Sequence, residues 1–185
     1  MHAPLLLLWS LLASAPAQEP SPHGPENLLA GPARCVLHYL DAVRLAGPRV
    51  NEVRPGRAAA PDGRAYAGAR RLTAPRTLEE IDRRAARGED HPLAPWREAA
   101  RARVLESFQL VAARRAPRGA AVVTVRERYW LGDRNAALDR SVSEYLVARV
   151  HGEWKVVDRR PGGTFDDDAV AGGYEGFFDD VRTSR

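Results

Sequence analysis

Two glutamates, Glu127 and Glu144, are the side chains of this sequence best placed to do chemistry. They lie in neighbouring runs rich in β-branched and aromatic residues. A turn centred between Asn135 and Ala136 would set them opposite each other on an otherwise apolar sheet face, with Cβ atoms about 5 Å apart. Two carboxylates that close in a dry pocket cannot both ionise easily, so one becomes suited to general acid or base catalysis.

Two tyrosines, Tyr39 and Tyr129, could donate hydrogen bonds in the same pocket. The candidate ligand-binding set is therefore Tyr39, Tyr129, Glu127 and Glu144, with both glutamates also the catalytic candidates. The alternative is structural: each glutamate meets an arginine, such as Arg34 or Arg44 on the first helix, or lies at an exposed sheet edge. A one-residue change of register would also move the two carboxylates to different faces.

Three strands are predicted to build that sheet: Ala120–Leu131, Arg140–Val150 and Glu153–Asp158. His151-Gly152 forms a compact hairpin turn of the primed kind. The face that carries Glu127 is nearly free of arginine and is the better core candidate. The other face is covered by a loop, by the C-terminal segment or by a second copy, and we favour a homodimer patch of Tyr145, Val147 and Trp154.

Three helices are expected to lie on the sheet. The first runs from Ala33 to Ala46, with an apolar stripe of Val36, Leu37, Leu40 and Val43. The second opens at Thr77, which forms a capping box with Glu80, and stops at Gly88. The third and longest spans Pro95–Arg115. Its buried stripe is Trp96, Ala100, Val104, Phe108 and Val111, and the sheet is its expected partner.

The two ends of the chain differ from the middle. Residues 1–17 have the apolar core (Leu5–Leu12) and small-residue site (Ala15–Ala17) of a secretory signal peptide, with an uncleaved membrane anchor as the alternative. Residues 18–32 are a Pro- and Gly-rich tether, and 33–160 are the folded domain. Residues 161–185 are predicted to form a flexible acidic tail whose aromatic side chains could dock on the domain. The product is expected to be exported, periplasmic or secreted.

Charge is unevenly placed over the 185 residues, whose net charge is +4. Residues 18–160 hold 26 basic and 18 acidic residues, whereas 161–185 hold 2 and 6. The arginines are not interleaved with aromatics as in a nucleic-acid module, so we disfavour nucleic-acid binding. The single cysteine, Cys35, excludes an intramolecular disulfide and is expected to be a buried, inert thiol.

Metal and cofactor motifs are missing from the sequence. The histidines His38, His91 and His151 lack zinc-site spacing, and the acidic runs Asp166–Asp168 and Asp179–Asp180 lack the calcium-loop pattern. There is no phosphate-binding glycine loop and no nucleophile elbow. The sequence therefore predicts neither a metal site nor a cofactor.

Two stretches resemble a known superfamily. They are VLHYLDAV at Val36–Val43 and SEYLVARVHGEWKVVD at Ser143–Asp158. Over residues 33–159 the chain resembles the nuclear transport factor 2-like superfamily, which includes polyketide cyclase-like and ketosteroid isomerase-like proteins. The resemblance implies an α+β fold with helices packed on a curved, cone-like antiparallel sheet. It also implies a cavity in which some members use acidic groups, a role that Glu127 and Glu144 would take here.

The leading functional hypothesis is a non-enzymatic exported domain that binds a small apolar or amphipathic ligand, or a protein partner, in the helix–sheet cavity. The alternative is a cofactor-independent enzyme of the isomerase or cyclase type, with Glu127 and Glu144 as acid and base. A basic module for nucleic acid or anionic envelope surfaces is the third class. Fold resemblance alone cannot choose among these functions.

Overall fold

The computed structural model describes residues 29–47, 66–94, 103–131, 137–174 and 177. The helices are α1 (Ala30–Ala46), α2 (Ala67–Leu72), α3 (Pro75–Ala86) and α4 (Asp167–Gly173). The strands are β1 (Arg103–Arg115), β2 (Ala121–Leu131), β3 (Ala137–Val150) and β4 (Glu153–Pro161), with a 3-10 turn at Pro117–Gly119. The strands form one curved antiparallel sheet in the order β1-β2-β3-β4. The predicted α+β class is confirmed.

The third predicted helix is wrong where the structure describes it, because Arg103–Arg115 is strand β1; Pro95–Ala102 lie outside the described residues. Two register shifts, at Leu105/Ser107 and Leu110/Ala112, explain the misleading pattern. A β-bulge adds one residue to a strand and so turns a two-residue spacing into three. Leu105, Phe108, Leu110 and Ala113 therefore share one face at spacings of three, two and three, whereas Val104 of the predicted stripe lies on the other face.

One face of the sheet, called here the helix face, packs against α1. Its buried side chains are Val123, Val125, Tyr129, Tyr145, Val147 and Val156. From α1 they meet Cys35, Val36, Tyr39, Leu40 and Val43, at the spacing of one helical stripe. The first helix is thus confirmed, and it begins three residues before Ala33, inside the segment predicted to be a tether.

The opposite face, called here the tail face, is covered at one end by the C-terminal segment. Phe165 and Val170 are buried against a cluster of Val122, Leu146, Ala148, Val150 and Val157. Tyr174 and Phe177 pack against the same cluster, as the docking prediction for the tail aromatics required. The packed unit therefore continues past residue 160, the predicted end of the domain, and includes part of the predicted flexible tail.

The start of α3 corrects the predicted capping box at Thr77. Ala74 precedes Pro75 and is extended (ψ 142°), as residues before proline prefer, so the helix begins two residues before Thr77. Thr77 is buried in the first turn and its Oγ1 donates to the carbonyl oxygen of Val157 (2.7 Å). The Ala74 amide likewise donates to the carbonyl of Val156 (2.8 Å). These bonds attach α3 to the outer edge of β4.

The β3–β4 turn confirms the primed hairpin. His151 and Gly152 both have positive φ (51° and 83°), which is the backbone of a type I′ turn. The proposed signal peptide and Trp96 lie outside the described residues. No helix among the described ranges is long and apolar enough to cross a membrane.

Candidate functional site

The register of β2 and β3 separates the two glutamates that the sequence placed together. Leu131 pairs with Ala137, so Glu127 lies opposite Ser141 and Glu144 lies opposite Thr124. The predicted pairing of Glu127 with Glu144 was wrong, because the predicted turn gave β3 a register that differs from the observed one by an odd number of residues. An odd displacement moves every side chain of one strand to the other face. Glu127 is on the helix face and Glu144 is on the tail face.

Glu127 is fully buried in a network of donors beneath α1. Arg159 on β4 donates from Nη2 to its Oε2 at 2.6 Å, and Ser143 donates to the same oxygen at 2.8 Å. Tyr129 donates at 3.2 Å, and the hydroxyl of Tyr145 makes a short hydrogen bond to Oε1. The carboxylate is therefore matched by a guanidinium and by hydroxyl groups on neighbouring strands, as a buried charge requires.

Tyr145 donates from a protonated hydroxyl. Burial raises the pKa of Tyr145 well above its ordinary value, with Glu127 adding to the rise and Arg159 opposing it. Tyr39 packs its ring against Tyr145, with ring centres 6.1 Å apart, and donates to the carbonyl of Leu93 (3.4 Å). Of the predicted ligand-binding set, Tyr39, Tyr129 and Glu127 thus gather in the buried core.

Glu144 has a different position. Its Oε2 accepts the backbone amide of Phe165 at 2.6 Å, and its Oε1 accepts Thr124 Oγ1 at 3.5 Å. The amide bond fixes the start of the C-terminal segment on the tail face. Glu144 therefore lies on the opposite face of the sheet from Glu127, 17 positions away in the sequence. There it holds the backbone of the C-terminal segment in place.

Arg159, the partner of Glu127, was missed by the sequence reading. The predicted third strand ended at Asp158, and neither Arg34 nor Arg44, the proposed arginine partners, takes this role: Arg44 pairs with Asp41 at 2.7 Å. A register shift at Leu146/Val147 places Val156 and Arg159, three residues apart, on the same face. Strict alternation along β4 would have assigned them to opposite faces.

The predicted homodimer patch is part of the core. Tyr145 and Val147 are buried under α1, and Trp154 packs against the same cluster. The carbonyl of Trp154 accepts the thiol of Cys35 (3.1 Å). These side chains are not on a free surface, so the patch was wrong. Cys35 is buried, as predicted, and desolvation raises its pKa to about 12.

A surface cleft of about 500 Å³ lies beside the outer edge of β4. It runs between α3, the Pro92 segment and the C-terminal segment. Its apolar wall consists of Pro92, Val157, Tyr174 and Phe177. Its volume is within the range of about 300–1,000 Å³ that is usual for small-molecule sites.

The polar side of the cleft carries mixed charge. Glu80 pairs with Arg84 at 2.6 Å, and this hydrogen bond is the first cause of the lowered pKa of Glu80. His91 also lines the cleft; burial lowers its pKa, and its Nδ1 accepts the Leu93 amide (3.1 Å). Asp158 accepts a short hydrogen bond from the hydroxyl of Tyr174, whose pKa is raised mainly by burial.

Arg159 connects this cleft to the core. It lines the cleft, its Nη1 donates to the carbonyl of Pro92 (3.1 Å), and its Nη2 binds Glu127. One guanidinium therefore holds both the cleft wall and the buried carboxylate. Among the described residues no group of three or more histidine, cysteine, aspartate or glutamate side chains could hold a metal ion.

Comparison with known proteins adds little to this geometry. No family model matches the chain, and no curated protein matches it. The crystal structure of the intermembrane space region of the chloroplast protein ARC6 is similar at a TM-score of 0.37 and 16% identity, over 71% of this chain and 93% of that chain. A TM-score at this level carries no argument about function.

Proposed function

We propose that this chain is a non-enzymatic, exported binding domain that takes a small amphipathic ligand in the cleft beside β4. The observation that carries the proposal is the cleft itself: about 500 Å³, with an apolar wall facing polar groups. Export rests on the signal-like residues 1–17. Membership of the nuclear transport factor 2-like superfamily remains a proposal that rests on the two sequence stretches quoted above.

The ligand class follows from the two walls of the cleft. An apolar body would contact Pro92, Val157 and Phe177, which are side chains without competing hydrogen-bond groups. A polar or anionic end would lie toward Arg84 and Arg160, which line the other side. A few polar groups in a mostly apolar pocket fix the orientation of a ligand, while the apolar contacts supply most of the affinity.

The enzymatic alternative has less support. A general base must reach the proton that it abstracts. Glu127 is fully buried, and both of its oxygens accept hydrogen bonds from protein side chains. Glu144 is on the opposite face and holds the Phe165 amide. The two carboxylates therefore do not form an acid–base pair around a shared space.

Binding is tested with anilinonaphthalene sulfonate (ANS), a fluorescent probe with an apolar body and one anionic group. We expect saturable binding by the purified full chain. Phe177→Ala removes part of the apolar wall, and Pro92→Asp adds a carboxylate that repels the sulfonate. Each change should weaken binding at least about fivefold, because contacts that line a pocket carry most of its binding energy.

Leu45→Ala is the matched control, since Leu45 is an exposed side chain of α1 that does not line the cleft. Its ANS affinity should equal that of the wild type. Circular dichroism checks that all variants are folded. Absence of saturable binding, or equal affinity in the wild type and both cleft variants, would contradict the proposal.

A further inference from the structure

The two edges of the sheet are treated differently. The outer edge of β4 is covered, because Thr73 forms a bridge with Val156 and the Ala74 amide bonds to the same residue. The outer edge of β1 pairs with no other strand in the described part of the chain. β1 is 13 residues long, so it presents a long row of backbone donors and acceptors.

The middle of β1 is unusually open for an apolar strand. Leu110 is 40% exposed and Val111 is 50% exposed. The two register shifts bound a regular stretch, Ser107–Leu110, in which successive residues pair with β2 without interruption. Bulges and charges on an edge strand discourage indiscriminate pairing, whereas a short regular stretch between them can still accept one strand.

Arginines stand behind this stretch on the tail face. Arg126 on β2 pairs in register with Gln109, and Arg128 with Ser107. Arg128 also lies directly opposite Arg140 on β3. Like charges directly across a strand pair are destabilising. Glu106 is 3.6 Å from Arg128, but no described residue forms an ion pair with Arg126 or Arg140.

A groove of about 170 Å³ lies between the edge and these arginines, lined by Ser107, Phe108, Gln109, Arg126 and Arg128. An added strand would lie about 4.8 Å beyond β1. On the tail face the short side chain of Ser107 leaves room for an arginine to extend across β1. On the helix face the half-buried Phe108 and the exposed Leu110 offer apolar contact.

We propose that β1 accepts, as a fifth strand, an extended protein segment in which acidic and apolar residues alternate. Backbone hydrogen bonds to Ser107–Leu110 provide the attachment, as in other cases of β-strand addition. The acidic residues face Arg126 and Arg128 and offset the repulsion between Arg128 and Arg140. The apolar residues face Phe108 and Leu110. This surface is separate from the cleft beside β4.

Charge argues against a second copy as the occupant. Pairing of β1 with the β1 of another copy would continue the tail face from one copy to the next. It would bring Arg126 and Arg128 toward the same arginines of the other copy, and such repulsion disfavours association. A partner of opposite charge has no such cost and gains fast, salt-sensitive association.

Two synthetic peptides test the proposal: one alternates glutamate and valine, and the other alternates lysine and valine. The full chain should bind the glutamate peptide, with an affinity that falls as salt rises. Hydrogen exchange should slow at those amides of Ser107–Leu110 that face away from β2 when that peptide is bound. The lysine peptide should not bind.

Charge reversal supplies the decisive comparison. The affinity of the Arg126→Glu/Arg128→Glu variant for the glutamate peptide should fall by about tenfold or more, and this variant should bind the lysine peptide. Arg71→Glu/Arg76→Glu is the matched control, because it makes the same change of net charge at exposed positions on α2 and α3. ANS binding in the cleft should be unchanged in both variants, so failure here is distinct from failure of the cleft.

Several outcomes would overturn the proposal. They are equal binding of the two peptides, no slowing of exchange in β1, or equal effects of the two charge reversals. Self-association of the purified chain that protects the β1 amides would assign the edge to a second copy. Tighter binding to single-stranded DNA or to anionic vesicles than to the glutamate peptide would assign the arginines to phosphate.

Discussion

Replacing Glu127 by glutamine should be one of the most destabilising conservative changes in the chain. The substitution keeps the shape of the side chain but removes its charge. Arg159 is 4% exposed and Glu127 is 0% exposed, so the guanidinium would stay buried without its counter-charge. The new amide NH2 would also face hydroxyl groups that now donate to a carboxylate, among them Ser143 and Tyr145.

The size of the effect follows from the burial of the pair. Removing one partner of a buried ion pair typically costs about 3–5 kcal/mol, because the remaining charge is uncompensated. Domains of this size are stable by only about 5–15 kcal/mol. The melting temperature of Glu127→Gln should therefore fall by roughly 10 °C or more. The matched control is Asp41→Asn, which breaks the exposed pair with Arg44 and should cost less than about 1 kcal/mol.

Urea unfolding followed by circular dichroism measures both changes. The double variant Glu127→Gln/Arg159→Met removes both charges, so its cost should be smaller than the sum of the single costs by about 1–3 kcal/mol. A cost for Glu127→Gln below about 1 kcal/mol would refute the reasoning. Additive single costs would also refute it, because they would mean that the two side chains do not stabilise each other.

Three further changes have defined outcomes. Because its pKa is raised to about 12, Cys35 has a thiolate fraction of about 10⁻⁴ at pH 8. A disulfide reagent should therefore react with Cys35 roughly a thousandfold more slowly than with an exposed thiol. The reaction should become fast when urea unfolds the protein, and a prompt reaction without urea would contradict this prediction. Burial lowers the pKa of His91 in the folded state, so the unfolded state binds a proton more readily. The free energy of unfolding should therefore fall as the pH drops from about 6.5 toward the pKa of His91 in the folded protein. His91→Asn, whose Oδ1 can accept the Leu93 amide at any pH, should flatten this dependence, and an unchanged slope would argue against it. Gly152→Ala should lower the free energy of unfolding by about 1 kcal/mol, because Gly152 has φ +83°. Gly172 has open space around it and no positive φ, so Gly172→Ala should be nearly neutral in urea unfolding. Equal costs for the two substitutions would contradict the turn assignment.

Much of the fold could be predicted because local patterns and tertiary packing agree. The stripe Val36–Val43 predicts α1 and its buried face, and His151-Gly152 predicts the turn between β3 and β4. β1 could not be predicted in the same way, because its two bulges interrupt the two-residue alternation by which a strand is identified. The backbone of Arg103–Arg115 is satisfied by pairing with β2, and tertiary pairing of this kind overrides a local preference.

The candidate site was less predictable than the fold. Glu127 was identified correctly as an acidic group on an apolar face, and an arginine partner was among its stated alternatives. The opposed position of Glu144 depended on the length of one turn, and a side-chain period of two makes any odd error decisive. Arg159 could not be assigned to the helix face from the sequence, because the bulge beside Val147 interrupts the alternation of side chains along β4 just before Arg159.

The end of β4 connects parts of the domain that were predicted as separate segments. Asp158 holds Tyr174 of the C-terminal segment, Arg159 holds Glu127 in the core, and Arg160 lies over the ring of Phe165 at 4.4 Å. Neighbouring residues thus fix the helix face, the cleft and the tail face at once. Because Arg159 also holds the carbonyl of Pro92, loss of Glu127 should disturb the cleft wall as well as stability. Folded Glu127→Gln should therefore bind ANS more weakly than the wild type, whereas unchanged binding would mean that the cleft wall is held independently of the buried pair.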